Sequence, residues 1–376
     1  MATLELKNVS KKFGAVTAMN KVSFSADEGG FFVLLGAPGA GKTTTINTIC
    51  GIEEVDEGKI TLGGEDITHE LPQTRDMAIA FENYALYPHL TVFQNLLFPL
   101  ESPLRAKEMS KNERAKRVKE IADLLSISEL LHRYPRELSG GQKQRVSLGR
   151  TLVRRPKLYL LDEPIAHLDA KLRHRMRSEL KKIQKEFGIT AIYATPDQLE
   201  ALSMADTLAI LNKGVIEQVG TPDDIYYHPV NSYVAGFISD PPMNFMPALL
   251  GNGGLDLTWG EPCRIPLGAG DHRALEQKAA GQPVKVGVRP VDISFVSPSD
   301  PRAQMKGKVA MLDTLGQTSI VMVEIGPNRM MAKVDSDHRP EHGEAVGICI
   351  KMERVLYFEA ASGLRIHGGE SVGTAE

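Results

Sequence analysis

One short segment near the start of the chain has the residue types and spacing to bind phosphate. Residues 36–43 read Gly-Ala-Pro-Gly-Ala-Gly-Lys-Thr, follow the apolar run Phe31–Leu35 and precede a predicted helix at 44–50. They fit GxxxxGK[ST] in full, so backbone N–H groups and the positive end of the helix would surround phosphate oxygens. Lys42 adds a charge, and Thr43 offers a hydroxyl to Mg²⁺. We therefore predict an ATP or GTP site in this cradle, residues 36–43.

A pair of carboxylates further along the chain supplies the groups that nucleotide hydrolysis needs. Asp162 and Glu163 end the apolar run 158–161, which is typical of a buried strand. One carboxylate suits the shell of Mg²⁺, and the next can orient or deprotonate water. A glycine-rich turn with a chance lysine, or a strand that simply ends at a polar turn, is the alternative interpretation. The presence of both features in one chain disfavours it.

Two overlapping sets of site residues follow from these motifs. The predicted catalytic residues are Glu163, Asp162 and Lys42. The predicted nucleotide-binding residues are those of the cradle and the next helical residue: Gly36, Ala37, Pro38, Gly39, Ala40, Gly41, Lys42, Thr43 and Thr44.

A third motif lies between the cradle and the carboxylates. Residues 138–145 read Leu-Ser-Gly-Gly-Gln-Lys-Gln-Arg, and a helix is predicted from 142 to 152. The serine and glycines at its start would form a second anion site from a hydroxyl and backbone N–H groups. The motif resembles the LSGGQ signature of the ABC ATPases at all five positions. This resemblance implies ATP as the nucleotide and Mg²⁺ as its metal ion.

The resemblance also implies how the two phosphate-binding surfaces are used. Two subunits pack head to tail, and each ATP lies between one cradle and the other subunit's signature, here Ser139, Gly140, Gly141 and Gln142. By the same resemblance Phe13 would stack on adenine, and Asp169 would be the D-loop aspartate. Residues 81–92 resemble the loop that senses nucleotide and lines the groove for the coupling helices of the membrane subunits. The metal ligands would be Thr43, Asp162 and Glu82.

The elements around these motifs alternate between strands and helices. Strands are predicted at 4–9, 22–26, 31–35, 158–161 and 190–194, which favours an α/β fold with a parallel sheet. After about residue 237 short β-branched runs separated by Gly and Pro predict a small β domain. We expect an ABC nucleotide-binding domain at 1–237, with a mixed sheet and a helical subdomain at about 90–155. An all-β OB-like domain is expected at 238–376.

The second half of the chain narrows the resemblance. Residues 226–238, 243–245 and 287–293 are similar to the carbohydrate-importer ATPases, including maltose-type and glycerol-phosphate-type subunits with a C-terminal OB-like domain. This implies an ATPase that energises import of a carbohydrate, a polyol such as glycerol, or glycerol phosphate. The implied partners are a second ATPase subunit, two transmembrane permease subunits and a periplasmic or lipid-anchored substrate-binding protein. The implied location is the cytoplasmic face of the inner membrane.

Two positions depart from the family pattern. Residues 195–198 read Thr-Pro-Asp-Gln where the family has Thr-His-Asp-Gln, so Pro196 replaces the switch histidine. Proline has neither a side-chain donor nor a backbone N–H to offer the γ-phosphate. Glu82 stands where the family has glutamine. We expect ATP binding with impaired hydrolysis, and pairing with a different ATPase subunit that uses the intact signature. An active homodimer with tolerated changes, with His167 or His174 as a compensating residue, is the alternative.

Composition and charge limit the remaining possibilities. The chain has 376 residues, 42% hydrophobic and 24% charged, with a formal net charge of −3, so no global field attracts nucleic acid. No apolar run approaches the roughly 18–20 residues that span a bilayer. The three cysteines are widely spaced and lack a CxxC pair. A non-hydrolysing ATP-dependent clamp and a regulatory role for the β domain remain alternatives, whereas a repair or translation ATPase is disfavoured by that domain.

Overall fold

The chain divides into two compact units, residues 1–222 and 223–376. The computed structural model describes residues 3–81, 84–102, 109–154, 156–251, 254–259, 263–279 and 281–366. The sequence-based domain boundary at 237/238 lies later in the chain than this division. Two short helices, 222–227 and 232–238, occupy the interval between the two positions.

The first unit contains two β-sheets and the helices that accompany them. Its strands are β1 (Leu4–Phe13), β2 (Val16–Ala26), β3 (Phe31–Leu35), β4 (Glu57–Leu62), β5 (Glu65–Asp66), β6 (Met77–Ala80), β7 (Leu158–Asp162), β8 (Thr190–Thr195), β9 (Thr207–Asn212) and β10 (Val215–Gly220). Its helices are α1 (Lys42–Cys50), α2 (Val92–Leu97), α3 (Lys111–Leu124), α4 (Gly140–Leu152), α5 (Ala170–Phe187) and α6 (Gln198–Met204).

The strand order of the larger sheet places the predicted motifs together. The sheet runs β10-β9-β3-β8-β7-β6, parallel except for the β9–β10 hairpin, and an antiparallel sheet of order β2-β1-β4-β5 accompanies it. Every residue of β3, β7 and β8 is buried, as expected for parallel strands covered on both faces. The strands β3 and β7 both pair with β8 and run parallel to it. The cradle after β3 and the carboxylate pair at the end of β7 therefore lie at the same, carboxyl-terminal end of the strands.

Most helices of the first unit begin at a side chain that caps their free N–H groups. The caps are Thr91 for α2, Ser110 for α3, Ser139 for α4, Asp169 for α5 and Asp197 for α6. Such caps satisfy donors that have no partner within the helix. By contrast, α1 begins at Gly41 without a side-chain cap, which leaves its N–H groups directed at the cradle.

The second unit is built from antiparallel sheets. Its strands are β11 (Asn244–Gly251), β12 (Gly254–Leu257), β13 (Cys263–Pro266), β14 (Val284–Val288), β15 (Ile293–Val296), β16 (Met305–Leu315), β17 (Thr318–Ile325), β18 (Asn328–Asp335), β19 (Ala345–Ile350), β20 (Leu356–Glu359) and β21 (Arg365–Ile366). The sheet orders are β13-β12-β11-β14-β20-β21 and β15-β19-β16-β17-β18. Its helices are α7 (Pro222–Tyr227), α8 (Ser232–Ile238) and α9 (Ala269–Ala279).

The expected fold class is confirmed: a mixed sheet with helices is followed by a β-rich unit. Several details differ from the sequence-based expectation. The strands β4, β5, β6, β9 and β10 were not predicted. The strands β1 and β2 are longer than predicted, because they pair through irregularities as far as Phe13 and Val16. The helix α9 was not predicted, and its Leu275 is fully buried in the core of the second unit.

Short 3-10 helices occupy 98–100, 128–130, 135–137, 290–292, 336–338 and 352–354. In the described part of the chain, we find no helix with the length and apolar character that a membrane crossing requires.

Candidate functional site

The cradle forms a turn whose shape requires glycine at its two ends. Gly36 follows β3, and its N–H donates to the Thr195 carbonyl at 3.3 Å. A Cβ on Gly36 would lie 2.5 Å from the Leu211 carbonyl oxygen, which no side chain tolerates. A Cβ on Gly41 would lie 2.5 Å from the Ala18 carbonyl oxygen, and its φ of 105° is favourable only for glycine. These glycines therefore allow the backbone to curl in the way that phosphate binding needs.

Lys42 lies at the centre of the cradle with its charge already paired. Its Nζ donates to the Gly36 carbonyl at 3.0 Å and to the Ala37 carbonyl at 3.3 Å, and it lies 3.4 Å from Glu163 Oε1. The side chain is 5% exposed. The predicted lysine and the second predicted carboxylate thus meet in space, although they are far apart in sequence.

A cavity of about 590 Å³ opens over the cradle. This size is in the usual range for a small-molecule site. It is lined by residues of the cradle and α1, by Glu163 and by two segments that the motifs do not include: Val16, Thr17, Ala18, Pro38, Gly39, Gly41, Lys42, Thr43, Thr44, Glu163, Lys213 and Gly214. This cavity, with its lysine and the N–H groups at the start of α1, fits a nucleoside triphosphate.

Sequence reasoning missed the hairpin turn that braces the cradle. Gly214 lies between β9 and β10, and its N–H donates to the Ala40 carbonyl at 2.8 Å. Its own carbonyl accepts from the Asn20 N–H at 2.8 Å. Lys213, beside it, is exposed and lines the cavity. The Asn-Lys-Gly run at 212–214 indicates a turn in the sequence, but nothing local shows that the turn contacts the cradle.

The two carboxylates at the end of β7 differ in their surroundings. Asp162 is 2% exposed and is the last residue of the strand, whereas Glu163 is partly exposed and lines the cavity. Glu163 has a φ of 46°, and its N–H donates to the Ala194 carbonyl at 3.0 Å. For a residue other than glycine this left-handed conformation is strained, so surrounding contacts must hold it.

The donor types at this edge could hold Mg²⁺. Thr43 and Asp162 offer hard oxygen atoms, and in phosphate sites Mg²⁺ is commonly bound through one or two carboxylates together with substrate phosphates. Among the described residues, no group of three or more His, Cys, Asp or Glu side chains is arranged to hold a metal ion. Glu82, the third predicted ligand, lies outside the described residues.

The signature serine begins α4 with a capping box. The Gln142 N–H donates to Ser139 Oγ at 3.4 Å, and the Ser139 N–H donates to Gln142 Oε1 at 2.9 Å. Ser139 and Gly140 are exposed. None of the four predicted signature residues, 139–142, lines the cavity over the cradle.

The turn that contains Pro196 is fastened to a buried carboxylate. Glu200 on α6 is 3% exposed, and its Oε2 accepts from the Tyr193 hydroxyl at 2.8 Å and from the Thr195 hydroxyl at 2.7 Å. Burial raises the pKa of Glu200, while the two hydroxyl donors act in the opposite direction. Asp197 caps α6, and its N–H donates to Thr195 Oγ1 at 3.1 Å. Thr195 pairs with Leu35, the residue just before the cradle, and Pro196 is the next residue after Thr195.

The remaining predicted residues do not line the cavity over the cradle. Phe13 is 45% exposed at the end of β1 and is not among the residues that line the cavity. Asp169 caps α5. The His167 ring lies edge-on to Tyr84 at 5.9 Å, and His174 lies beside Arg177 at 3.3 Å. In the described part of the chain, no histidine lines the cavity over the cradle.

Three family models match successive parts of the chain. Residues 19–166 match the ABC transporter model, 240–293 the MalK OB fold domain and 299–357 the TOBE domain. These matches place the cradle, the signature and the carboxylates within the first of the three models.

Curated proteins match over nearly the whole chain. It is 41% identical, over 97% of its length, to the trehalose/maltose import ATP-binding protein MalK of Thermococcus litoralis, all of which is covered. It is 37% identical, over 97% of its length and 99% of the relative, to the sn-glycerol-3-phosphate import ATP-binding protein UgpC 3 of Rhizobium etli. The trehalose import ATP-binding protein SugC of Mycobacterium tuberculosis is 36% identical, with 97% of this chain and 98% of the relative covered.

A solved structure shares the fold of the ATP-binding part. It is a dimeric, post-hydrolysis state of an ATP-binding cassette bound to ADP and phosphate, with a TM-score of 0.54 and 31% identity. The match covers 58% of this chain and 98% of that one.

Proposed function

This chain belongs to the ABC transporter family of ATP-binding subunits, and on that premise we propose that it powers the import of a carbohydrate, a polyol such as glycerol, or glycerol phosphate. The resemblance to the carbohydrate-importer ATPases is confirmed by the relatives and by the three matching models. The protein is an ABC-type ATPase that couples ATP hydrolysis to import. The substrate range rests on the names of relatives that import trehalose, maltose or glycerol phosphate.

The observation that carries this function is the contact of Lys42 with both the cradle carbonyls and Glu163. ATP would replace the carbonyl oxygens and the carboxylate around the ammonium with its own phosphate oxygens. Thr43 and Asp162 would hold Mg²⁺ together with those phosphates, and the ion would supply charge neutralisation. The chain's own residues then orient the nucleotide through the cradle N–H groups, and Glu163 orients or deprotonates water.

The same chain needs membrane partners to move a substrate. We assign it two transmembrane permease subunits, a substrate-binding protein and a position at the cytoplasmic face of the membrane. A groove of about 180 Å³ between β6 and α4 suits the permease contact. Its neighbourhood is aromatic, since Tyr87 packs at 4.7 Å against Phe98, which is 48% exposed, and Arg150 lies 4.5 Å from the Tyr87 ring.

The chain's own site should hydrolyse ATP slowly. Pro196 follows the strand residue beside the start of the cradle, and it offers no hydrogen-bond donor there. Removing one preorganised donor from a site of developing negative charge costs about 10²–10³ in rate. The cradle, Lys42 and the carboxylates remain, so binding persists while hydrolysis is impaired.

A different ATPase subunit is the proposed partner. The signature is intact, so Ser139 to Gln142 can complete a second site whose cradle and switch histidine come from another chain. A homodimer would contain two sites without that histidine. The two competing assignments are an active homodimeric ATPase and a clamp that binds ATP without hydrolysing it.

The experiment compares two glutamate substitutions in the complete importer. Glu163→Gln in this chain should lower steady-state hydrolysis by less than about twofold, because its site contributes little. The equivalent change in the partner should lower hydrolysis by about 10²-fold or more. Equal losses would contradict the asymmetric model, and full activity of a preparation that contains only this ATPase chain would establish the homodimer.

A further inference from the structure

Gln144 is a buried polar residue that none of the motifs assigns to a role. It lies in the second turn of α4, two residues after Gln142, and is 3% exposed. A glutamine buried this deeply is retained only when its amide group is hydrogen-bonded. Both ends of its amide are used, and both contacts reach the loop that follows β7.

The first contact holds the residue that orients water. Gln144 Nε2 donates to the Glu163 carbonyl at 3.1 Å. Glu163 has a left-handed backbone, and its N–H is held from the other side by the Ala194 carbonyl at 3.0 Å. The side chain that extends from this backbone lies 3.4 Å from Lys42 Nζ. Gln144 and Ala194 therefore both hold the Glu163 backbone by hydrogen bonds from outside the turn.

The second contact holds the segment that leads to α5. The His167 N–H donates to Gln144 Oε1 at 3.0 Å. A Cβ on Gly141 would lie 3.5 Å from the His167 carbonyl oxygen, so the first turn of α4 packs directly against this loop. From there the loop continues to Asp169, which caps α5. One side chain thus joins the signature helix to both ends of the segment 163–167.

We propose that Gln144 is a positioning residue that mechanically links the two phosphate-binding surfaces of this chain. This inference rests on the proposed function, in which the signature helix serves the facing site and Glu163 serves the chain's own site. A shift of α4 when the facing nucleotide binds would be transmitted through the Gln144 amide to Glu163 and to the His167 backbone. In return, movement of the carboxylate turn would displace the signature.

The first test separates rate from nucleotide binding in the complete importer. Gln144→Leu keeps a similar volume but removes both hydrogen bonds. The assay uses an importer whose partner ATPase carries the glutamate-to-glutamine change, so that the hydrolysis measured comes from this chain's own site. There we expect kcat to fall by about tenfold or more, because small displacements of reacting groups cost rate, while KM changes by less than about twofold. An unchanged kcat would overturn the proposal.

A matched control is available in a second buried glutamine. Gln184 on α5 is 2% exposed and donates to the carbonyls of Gly29 and Ile189, away from the cavity. Gln184→Leu removes a comparable pair of buried contacts, so it should reduce stability similarly and leave kcat per folded importer unchanged. An equal fall in kcat for both variants would show a merely structural role.

The second test uses a variant that regains the missing donor by protonation. In Gln144→Glu the introduced carboxylate still accepts from the His167 N–H, but it can donate to the Glu163 carbonyl only when protonated. In the same partner-substituted importer, the ratio of the Gln144→Glu kcat to the kcat with native Gln144 should therefore rise as pH falls from about 8 to about 6, since burial favours the neutral form. A flat ratio would overturn the proposal even if the leucine variant does not fold.

The outcomes also distinguish a failure of this positioning role from a failure of the proposed function. If the native importer hydrolyses ATP and the Gln144 variants match it, only the positioning role fails. If the native importer with its binding protein and substrate shows no ATP hydrolysis at all, the proposed function fails first.

Discussion

The cradle and the start of α4 are the two proposed phosphate-binding surfaces, and the structure builds them differently. The cradle is a cavity with glycine at its crowded positions and a buried lysine already paired with Glu163. The start of α4 is an exposed helix end, whose serine caps its own helix. The first surface can enclose a ligand by itself. The second offers N–H groups to a ligand that another surface must hold.

This difference agrees with the distribution of sequence changes. Pro196, which departs from the family pattern, comes directly after Thr195, the strand residue that pairs with Leu35 before the cradle, whereas the signature sequence at 138–142 is unaltered. Glu82, the other departure, lies outside the described residues. Under the proposed function, this chain would keep its role in the facing site while its own site loses rate. The following predictions test whether the two surfaces are separable in this way.

The largest effect is expected from Lys42→Ala. The variant removes the cradle's cation and leaves Glu163 without the ammonium that lies 3.4 Å from it. We expect ATP affinity of the isolated chain to fall by at least about tenfold, since a charge-assisted contact to phosphate is lost. Titration with a fluorescent ATP analogue measures this. Lys59→Ala, which removes a surface ion pair with Asp66, is the control. Unchanged affinity in Lys42→Ala would mean that the cradle is not the nucleotide site.

Restoring the missing donor should raise the rate of the chain's own site. In an importer whose partner carries the glutamate-to-glutamine change, Pro196→His should increase hydrolysis by about 10²–10³. Pro196→Ala restores a backbone N–H but adds no imidazole, so it distinguishes the effect of the imidazole ring from the effect of the backbone N–H. A comparable rise in the alanine variant would assign the defect to the proline backbone, and no rise in either would contradict the predicted impairment.

Loss of the signature hydroxyl should affect the facing site and spare the cradle. We expect Ser139→Ala to lower hydrolysis by the complete importer about tenfold, with ATP affinity of the isolated chain within about twofold. It also removes a helix cap, which costs about 1 kcal/mol. Ser110→Ala removes the same kind of capping box from α3 and serves as the control. If both variants lose the same activity, stability and not phosphate contact explains the result.

The smallest effect is expected at the carboxylate beneath the Pro196 turn. Burial raises the pKa of Glu200 above its ordinary value of 4.5, so the folded protein holds this proton more tightly than the unfolded chain. Its stabilising contribution is therefore present below about pH 4.5 and is lost as pH rises through the folded pKa. The difference in unfolding free energy between the native protein and Glu200→Gln should decrease with rising pH in urea titrations. Tyr193→Phe keeps the carboxyl group and should keep this dependence. A difference that grows with pH would contradict the sign.

The sequence was sufficient for the parts of the site that are contiguous. Residues 36–43, the carboxylates after β7 and the signature each fall within one short segment, where local backbone chemistry determines the pattern. The contact between Lys42 and Glu163 followed only because strands of a parallel sheet end at one edge.

Other parts depended on neighbours that no local pattern reveals. In the sequence Gln144 looks like any other polar helix residue, because its hydrogen bond to Glu163 depends on the position of β7 in the fold. Gly214 is a turn residue until the position of β9 beside β3 brings it against Ala40. The helix α9 was missed because only one of its residues, Leu275, is described as fully buried in the core, which gives a weak periodic signal.

The position of β3 in the sheet has a consequence for biogenesis. Both of its neighbours, β8 and β9, are synthesised long after it, and the turn that braces the cradle comes later still. Pairings of such large sequence separation form late, because the intervening chain must first be ordered. A nascent chain on the ribosome therefore carries residues 36–43 well before β8, β9 and Gly214, the elements beside the cradle, have been synthesised. If nucleotide assists folding of the first unit, we expect it to act after residue 214 has left the exit tunnel.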